Sequence, residues 1–278
     1  MKIEVIDYKS SSASNKFVKS LEKTGFAVLK NHSIDSDLIK SVYSDWESFF
    51  KSDAKHNYKF DSKSQDGYFA FGLENAKNHL DKDLKKFFQV YKWGKYPKKL
   101  NNDTMLLFQN LCELASELLN WVEIHCPKNI SSNFSQSLSK MIENSPHNML
   151  RIIHYPPLRE SDPTSAIRAS AHEDINLLTI LCAATMSGLQ AKDVHGMWHE
   201  VDTDPGMIVV NTGDMLQMLT GGFFPSTTHQ VINPGNENRS ISRFSMPLFL
   251  HPNEDVKLSN EYTAGEYLFE RLKEIGLR

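Results

Sequence analysis

The sequence predicts an α+β protein in which a helix-rich N-terminal half is followed by a β-rich C-terminal half. Apolar residues recur at helical spacing in the first half, most clearly over residues 103–125. From Met149 onward, short β-compatible runs alternate with glycine and proline turn signals, as in sandwiches and barrels. A chain of 278 residues can bury a sizeable core, and we expect one catalytic unit.

The charge balance excludes several classes of partner. The net charge is −3, so nothing favours nucleic acid or an anionic membrane as a partner, and no obligate protein partner is evident. We interpret the Lys-rich segment 82–99 as a solvated surface. No apolar run is long enough for a signal peptide or a membrane span, which predicts a cytoplasmic protein. The cysteines, Cys112, Cys126 and Cys182, are too few and too scattered for a disulfide framework or a zinc cluster.

The first 125 residues form the predicted N-terminal region. Residues 1–60 have the pattern strand, helix, strand, helix, with Phe26–Leu29 as an apolar strand. Asp35 or Ser36 can cap the second of these helices, since both side chains accept hydrogen bonds from exposed helix amides. A long helix over 103–125 is expected to brace the outer face of a sheet.

An aromatic run bounded by Gly67 and Gly72 separates these helices. Its rings belong to Tyr68, Phe69 and Phe71. Glycine at both ends lets the backbone turn freely, so the run could form a lid over a substrate. The alternative is that the rings tuck into the core, and the sequence does not separate the two.

The C-terminal half contains the predicted β-domain, over residues 147–252. It begins with a strand at Met149–Tyr155, after a segment at 129–146 whose composition predicts a loop. Residues 171–181 have the composition of one buried strand. A polar helix over residues 259–275 is expected to end the chain.

Two metal-ligand side chains stand at the start of the strand predicted at 171–181. In a strand, successive side chains point to opposite faces, so His172 and Asp174 share a face while Glu173 points away. An imidazole and a carboxylate, completed by a second histidine, form the ligand set of non-haem Fe(II) oxygenases. A second H-x-D copy at residues 79–81 follows a polar, Lys-rich stretch, and we interpret it as solvated surface.

Other histidines are weaker candidates for metal ligands. His195 and His199 have a spacing that suits a metal site on a helix, but the stretch has the pattern of a hairpin with Gly196 in its turn. His154, beside a proline at a strand end, could face the pocket. His229 follows the H-x-D pair by 55 residues and precedes another strand, which opens with Arg243.

These motifs together resemble the Fe(II)/2-oxoglutarate-dependent dioxygenases of the isopenicillin N synthase-like family. The resemblance runs through the H-x-D pair, the segment Asn211–Gly222, the distal His229 and an R-x-S motif at Arg243 and Ser245. The segment Thr24–His32 also looks like the entry strand of that family. The resemblance therefore covers nearly the whole chain and implies a double-stranded β-helix, or jelly-roll, core with flanking helices.

The resemblance also implies the cofactors and the residues that bind them. His172, Asp174 and His229 would bind Fe(II), and 2-oxoglutarate and O2 would take the remaining iron positions. Arg243 would hold the far carboxylate of 2-oxoglutarate through its planar fork, and Ser245 would add a hydroxyl donor. Tyr155 is a weaker third candidate for this carboxylate. The implied reaction oxidises an unactivated C–H bond, by default through hydroxylation, with release of succinate and CO2.

The substrate is expected to be a small molecule with a carboxylate and an apolar body. Arg151 and Arg168 precede the metal ligands and could lie near the cavity mouth, while the aromatic run of Tyr68, Phe69 and Phe71 could close over it. The nearest alternative is an iron oxidase of the same family that does not use 2-oxoglutarate. A non-catalytic jelly-roll module would not need all these groups, and no acid/base partner supports a zinc hydrolase.

Overall fold

The computed structural model describes residues 1–72, 82–163, 165–274 and 276–277. The second H-x-D copy, at residues 79–81, lies outside the described residues. Among the helices that are described, none is long and apolar enough to cross a membrane. The cysteines are free thiols, of which Cys126 and Cys182 are buried.

The N-terminal region has the predicted alternation of strands and helices. Its elements are β1 (Val5–Asp7), α1 (Ala13–Thr24), β2 (Phe26–Lys30) and α2 (Ser36–Lys51). Asp35 caps α2, because its carboxylate accepts a hydrogen bond from the Asp37 amide at 2.8 Å. Gly25 ends α1 with φ of 67°, and a Cβ at this position would lie 2.4 Å from the Thr227 hydroxyl.

The middle of the chain departs from two expectations. Its elements are β3 (Gly67–Phe69), β4 (Lys86–Val90), α3 (Asp103–His125), α4 (Lys128–Ser131) and α5 (Leu138–Ile142). The long helix is confirmed with its predicted ends. The segment expected to be solvated instead contains β4, whose Phe87 and Phe88 are buried on opposite faces of a sheet. The segment expected to be a loop contains most of α4 and all of α5.

The C-terminal half is rich in short strands, as predicted. Its elements are β5 (Met149–Tyr155), β6 (Ala169–His172), β7 (Leu178–Cys182), β8 (Leu189–Lys192), β9 (Trp198–Glu200), β10 (Ile208–Thr212), α6 (Asp214–Leu219), β11 (His229–Val231), β12 (Arg243–Leu250) and α7 (Ala264–Glu274). The single strand predicted over 171–181 is wrong, because the chain turns at residues 173–177 between β6 and β7. The hairpin predicted around Gly196 is confirmed as β8 and β9.

The strands form two sheets that face each other. The major sheet has the order β1-β2-β10-β7-β12-β5-β4-β3, and the minor sheet has the order β6-β11-β8-β9. The chain therefore changes sheet between β6 and β7, which is why it turns there. This arrangement is the expected jelly roll, with N-terminal strands extending its major sheet. The side chains buried between the sheets include Phe26, Val28, Phe69, Phe87, Leu181, Val209 and Val231.

Helices cover the outer face of the major sheet. The largest buried side chains on that side are Phe17, Trp46, Phe50, Phe88, Phe108 and Phe224. Side chains of β12 alternate between the two faces, so Phe244 and Met246 pack toward the helices while Arg243 and Ser245 point between the sheets. The alternation of side chains along β12 thus directs Arg243 and Ser245 into the jelly roll.

The aromatic run does not form a lid. Tyr68 and Phe69 belong to β3, which pairs with β4, and both rings are buried. Phe69 stacks on Phe87 with ring centroids 4.2 Å apart. Phe71 is half-buried and lies 4.8 Å from the Arg159 guanidinium. The alternative prediction, that the rings pack into the protein, is therefore confirmed for Tyr68 and Phe69.

Candidate metal centre and active site

Two histidines face each other across the pairing of β6 and β11. His172 is the last residue of β6, His229 is the first of β11, and the two are partners in the strand register. Asp174 follows in the turn, with its Oδ1 atom 3.9 Å from His172 Nε2 and 3.7 Å from His229 Nε2. The three ligand atoms all lie within 4.8 Å of one another, close enough to surround one ion. One divalent ion can therefore contact all three side chains.

The backbone orients both imidazoles for metal binding. His172 Nδ1 donates to the Ser170 carbonyl at 2.7 Å, and His229 Nδ1 donates to the Thr227 carbonyl at 3.1 Å. A proton on Nδ1 leaves the Nε2 lone pair of each ring available to a metal. Burial, followed by the neighbouring His229, lowers the pKa of His172 to about 4, so the ring is neutral at neutral pH. His172 thus holds the protonation state that a metal ligand requires.

Two polar side chains from neighbouring strands hold the Asp174 carboxylate. Its Oδ2 atom accepts hydrogen bonds from the Thr179 hydroxyl of β7 at 2.5 Å and from the Asn211 amide of β10 at 2.8 Å. Burial alone would raise the pKa of Asp174, but the two histidines and these hydrogen bonds lower it overall. The carboxylate is therefore ionised, with Oδ1 left to face the imidazoles.

Asp174 lies beside His172 for a reason other than strand alternation. It lies in the turn between the two sheets, where its carbonyl accepts a hydrogen bond from the Asp214 amide at 2.7 Å. Gly213 makes this approach possible, since a Cβ there would lie 2.2 Å from the Asn176 carbonyl oxygen and 2.8 Å from that of Asp174. The N-terminal end of α6 thus fixes the turn. The predicted proximity is observed, although its predicted cause is wrong.

The donor set fits Fe(II). His172, Asp174 and His229 form the one group of three potential metal ligands found among the described residues. Two imidazole nitrogens and one carboxylate oxygen, with further positions open, are the ligands of non-haem Fe(II) oxygenases. Each ligand also has the outer hydrogen bond that commonly fixes such side chains.

A cavity of about 670 Å³ opens beside this cluster. Its wall includes His172 and Asp174 together with side chains from β4, β5, β12 and α7. Lining groups beyond the cluster include Lys85, Gln89, Tyr91, Trp93, Met149, Arg151, Phe249, His251, Leu268, Phe269 and Leu272. The wall also contains charged side chains of both signs, among them Asp83, Glu254 and Arg271. A concave surface that combines apolar and aromatic side chains with polar groups is typical of a site for a small molecule.

Of the predicted substrate residues, one lines the cavity and the others do not. Arg151 lines the cavity, whereas Arg168 is 1% exposed and is not part of the cavity wall. Tyr68 and Phe69 are strand residues of the core, and neither they nor Phe71 line the cavity. Their predicted contact with substrate therefore has no support in the geometry of this cavity.

Arg243, Ser245 and Tyr155 lie together between the sheets. Arg243 is 1% exposed and pairs with Tyr155 in the register of β12 and β5, with its guanidinium carbon 5.0 Å from the Tyr155 ring. Its Nε donates to the Met186 carbonyl at 3.0 Å. Its Nη1 atom is buried and has no hydrogen-bond partner within the described part of the chain. Such an orphaned donor fits an external carboxylate.

His154 does not face the pocket. It alternates with Ile153 and Tyr155 on β5 and points toward the helices, where its ring stacks on Phe244 with centroids 4.4 Å apart. Its Nε2 atom lies 3.0 Å from the Ser242 hydroxyl. His154 is therefore a core residue.

Sequence reasoning assigned no role in the site to three of its polar residues. Thr179 and Asn211 are buried polar residues within apolar strands, and both contact the Asp174 carboxylate. A polar residue in an otherwise apolar strand is a signal that could have identified them, because a buried polar group requires a partner. His251 follows β12 and lines the cavity, but no sequence pattern distinguishes it from other histidines at strand ends.

Two family descriptions match the chain. Residues 146–252 match the family described as the 2OG-Fe(II) oxygenase superfamily. Residues 3–108 match the one described as non-haem dioxygenase in morphine synthesis N-terminal. The first segment contains the His-Asp-His cluster and the R-x-S motif, and the second contains the N-terminal strands of the major sheet.

Similar proteins cover almost the same length. Gibberellin 2-beta-dioxygenase 4 of Arabidopsis thaliana is 27% identical over 88% of this chain and 79% of its own. A crystal structure described as an oxygenase from Shewanella oneidensis is 45% identical, with a TM-score of 0.91 over 100% of both chains. The 2-oxoglutarate complex of dioxygenase for auxin oxidation 1 from Arabidopsis thaliana is 19% identical and matches the fold, with a TM-score of 0.73 over 94% of this chain and 100% of that one.

Proposed function

We propose that this chain, which belongs to the 2OG-Fe(II) oxygenase superfamily, oxidises a C–H bond of a small molecule that carries a carboxylate. The chain is a non-haem Fe(II)- and 2-oxoglutarate-dependent dioxygenase, as the sequence analysis expected. The proposal concerns its substrate and the residues that bind iron, co-substrate and substrate. The observation that carries it is the cavity whose wall joins His172 and Asp174 to the guanidinium of Arg151.

His172, Asp174 and His229 would hold the iron. The two Nε2 atoms and the Asp174 Oδ1 atom lie within 4.8 Å of one another, and the hydrogen bonds of the Nδ1 and Oδ2 atoms limit rotation of the three side chains. Three protein ligands leave three iron positions for the co-substrate and oxygen. Bound iron would supply the reactivity toward O2, of which one oxygen atom would enter succinate as 2-oxoglutarate loses CO2 and the other would enter the hydroxylated substrate.

Arg243 would bind the far carboxylate of 2-oxoglutarate. Its guanidinium is buried, carries an orphaned Nη1 donor, and is fixed by the Met186 carbonyl and by the Tyr155 ring. A planar fork held in this way pairs with a carboxylate bidentately. Ser245 lies on the same face of β12 and would add a hydroxyl donor. Both residues orient the co-substrate and exclude water from it.

Arg151 would bind the carboxylate of the substrate. Its guanidinium carbon lies 4.4 Å from the centre of the Phe87 ring and 5.4 Å from that of Phe249, and its Nη2 atom donates to Gln89 Oε1 at 3.1 Å. The two rings and the amide limit the positions that the guanidinium can take. The charge lies on the wall of the cavity that also contains the metal ligands, where it would place an anionic group at a defined distance from the iron.

A turnover screen tests this assignment. Succinate release should be measured with free amino acids, short peptides and other small carboxylates, and products should be checked by mass spectrometry for a gain of one oxygen. Once a substrate is found, the free acid should be compared with its methyl ester in wild type and in Arg151→Met. We expect a KM at least tenfold lower for the acid in wild type and a much smaller preference in the variant, since a charge-assisted hydrogen bond contributes about 1.5–3 kcal/mol.

The exposed Arg239 offers a matched control. Arg239→Met removes the same charge from a residue that does not line the cavity, and it should leave the preference for the free acid intact. Equal turnover of acid and ester by the wild-type enzyme would contradict carboxylate recognition, while the iron chemistry would stand.

A further inference from the structure

Two arginines are fully buried in this protein, and neither has an ionic partner among the residues that the structure describes. Arg168 and Arg243 are each 1% exposed and are among the largest side chains removed from solvent. Their hydrogen bonds go to backbone carbonyls, from Arg168 Nη2 to Ile241 at 3.0 Å and from Arg243 Nε to Met186 at 3.0 Å. Arg168 Nε and Nη1 and Arg243 Nη1 have no hydrogen-bond partner in the described parts of the chain. Three buried donors on two charged groups are thus left unsatisfied.

The two guanidiniums lie close to the same ring. The Arg243 guanidinium carbon is 5.0 Å from the centre of the Tyr155 ring, and that of Arg168 is 6.0 Å from it. Burial, followed by the charge of Arg243, lowers the pKa of Arg168 to about 10, which still leaves it protonated at neutral pH. Two positive charges therefore occupy one interior region.

An anion from outside the chain would resolve this arrangement. Burying an unpaired charge is strongly unfavourable, and burying two of the same sign close together is more so. No described carboxylate forms an ion pair with either guanidinium. The orphaned donors match the two oxygens of a carboxylate, each of which can accept more than one hydrogen bond.

We propose that Arg168 and Arg243 together bind the far carboxylate of 2-oxoglutarate and thereby select dicarboxylic over monocarboxylic 2-oxo acids. This inference rests on the proposed binding of 2-oxoglutarate at Arg243. It assigns Arg168 to the co-substrate, whereas the sequence analysis predicted that Arg168 contacts the substrate. The cavity wall supports the move, because Arg151 is part of that wall and Arg168 is not.

The competing explanation is a structural role. Arg168 Nη2 could serve only to hold the Ile241 carbonyl before β12 begins. In that case its removal would destabilise the protein and would not distinguish one 2-oxo acid from another. An anion-binding role predicts that removing Arg168 does not destabilise the ligand-free protein. Replacing a buried unpaired charge with an apolar side chain of similar length relieves the desolvation cost of that charge.

Binding of two acids separates these roles. Affinities for 2-oxoglutarate and for 2-oxopentanoate, which has the same carbon chain without the far carboxylate, should be measured by calorimetry on the Mn(II)-loaded protein without oxygen. The variants are Arg168→Met, Arg168→Lys and, as a control, the exposed Arg239→Met. We expect Arg168→Met to weaken 2-oxoglutarate binding roughly 10- to 100-fold, as for one charge-assisted hydrogen bond, with little effect on 2-oxopentanoate. Arg168→Lys should recover part of the loss, and Arg239→Met should match wild type.

Thermal unfolding provides the second readout. Without 2-oxo acid, Arg168→Met should unfold at the same or a higher temperature than wild type, and 2-oxoglutarate should stabilise it less. A lower unfolding temperature together with an unchanged affinity ratio for the two acids would overturn the inference and leave Arg243 in its proposed role. Failure of the wild-type protein to prefer 2-oxoglutarate over 2-oxopentanoate would overturn both assignments.

Discussion

The Asp174 carboxylate accepts a hydrogen bond from the hydroxyl of Thr179, across the turn that carries the chain from one sheet to the other. This bond, with a second from Asn211, occupies Oδ2 and directs Oδ1 toward the two histidines. The position of the carboxylate therefore depends on two strands of the major sheet, while both imidazoles belong to the minor sheet. The candidate metal centre lies where the two sheets meet.

We expect Thr179→Val to weaken iron binding by about 10- to 100-fold, the usual effect of removing a hydrogen bond to a ligand. Valine keeps the shape of threonine and removes only the hydroxyl. Fe(II) affinity should be measured by anaerobic titration. The same change at Thr203, which does not line the cavity, is the control. Equal affinity in Thr179→Val and wild type would show that this bond does not support the metal.

His229→Ala should abolish Fe(II) binding at concentrations that saturate the wild-type protein, because two remaining ligands cannot close the three-ligand site. The fold should survive, since the core is formed by other residues. Bound iron should be quantified after gel filtration without oxygen, with circular dichroism as the test of folding. His195→Ala removes an exposed histidine for comparison. Full iron occupancy in His229→Ala would contradict its assignment as a ligand.

Arg243→Lys should raise the KM for 2-oxoglutarate by about tenfold or more, because lysine keeps the charge and loses the bidentate fork. The KM for the oxidised substrate should change less. Succinate formation at varied 2-oxoglutarate concentration measures the effect. An unchanged 2-oxoglutarate dependence would mean that Arg243 has a structural role.

Helix α7 forms one wall of the cavity, and Tyr267 ties it to the jelly roll. The Tyr267 hydroxyl donates to Asp214 Oδ2 at 2.9 Å. Tyr267→Phe should speed hydrogen exchange of the α7 amides roughly tenfold or more, since a hydrogen bond to a charged group contributes about 1.5–3 kcal/mol. Tyr262→Phe is the matched control, because that hydroxyl donates to Glu270 of α7 from the segment just before the helix and not from the jelly roll. Equal exchange in both variants would contradict the role of Tyr267.

His154 predicts an acid-sensitive core. Burial, followed by the charges of Lys86, Lys51 and Arg168, lowers the pKa of His154 to about 3. The unfolded chain, with an ordinary pKa of about 6.5, then binds the proton more readily, so stability falls as the pH decreases from about 6.5 toward 3. This one group should cost about 2 kcal/mol at pH 5.

His154→Phe should remove that loss, because phenylalanine suits a ring stacked on Phe244 and cannot be protonated. The free energy of unfolding should be measured by urea at pH 5 and pH 8 for both proteins. Relative to wild type, the variant should gain stability at pH 5 compared with pH 8. The exposed His195→Phe should show no such gain. Parallel pH dependence of wild type and His154→Phe would refute the burial argument.

Local patterns were sufficient for much of the fold. The helix over 103–125 and the strand at Met149–Tyr155 have the predicted ends, because hydrophobic periodicity and turn residues act over a few positions. The sequence also predicted Asp35 or Ser36 as the cap of α2, and the structure shows that the cap is Asp35. Local patterns failed for β4, where the lysines suggested a solvated surface. This strand pairs with β3 and β5, and its Phe87 and Phe88 are buried by parts of the chain that are distant in sequence.

The sequence by itself determined which side chains could form the centre: the H-x-D pair, the distal His229 and the R-x-S strand. Only the tertiary structure decided how they meet. Asp174 reaches His172 through a turn between sheets rather than along one strand, and Arg168 lies beside Tyr155 rather than on the cavity wall. Strand alternation specifies the relative faces of neighbouring residues, but the partners of each strand and the crossing between sheets decide what each face meets.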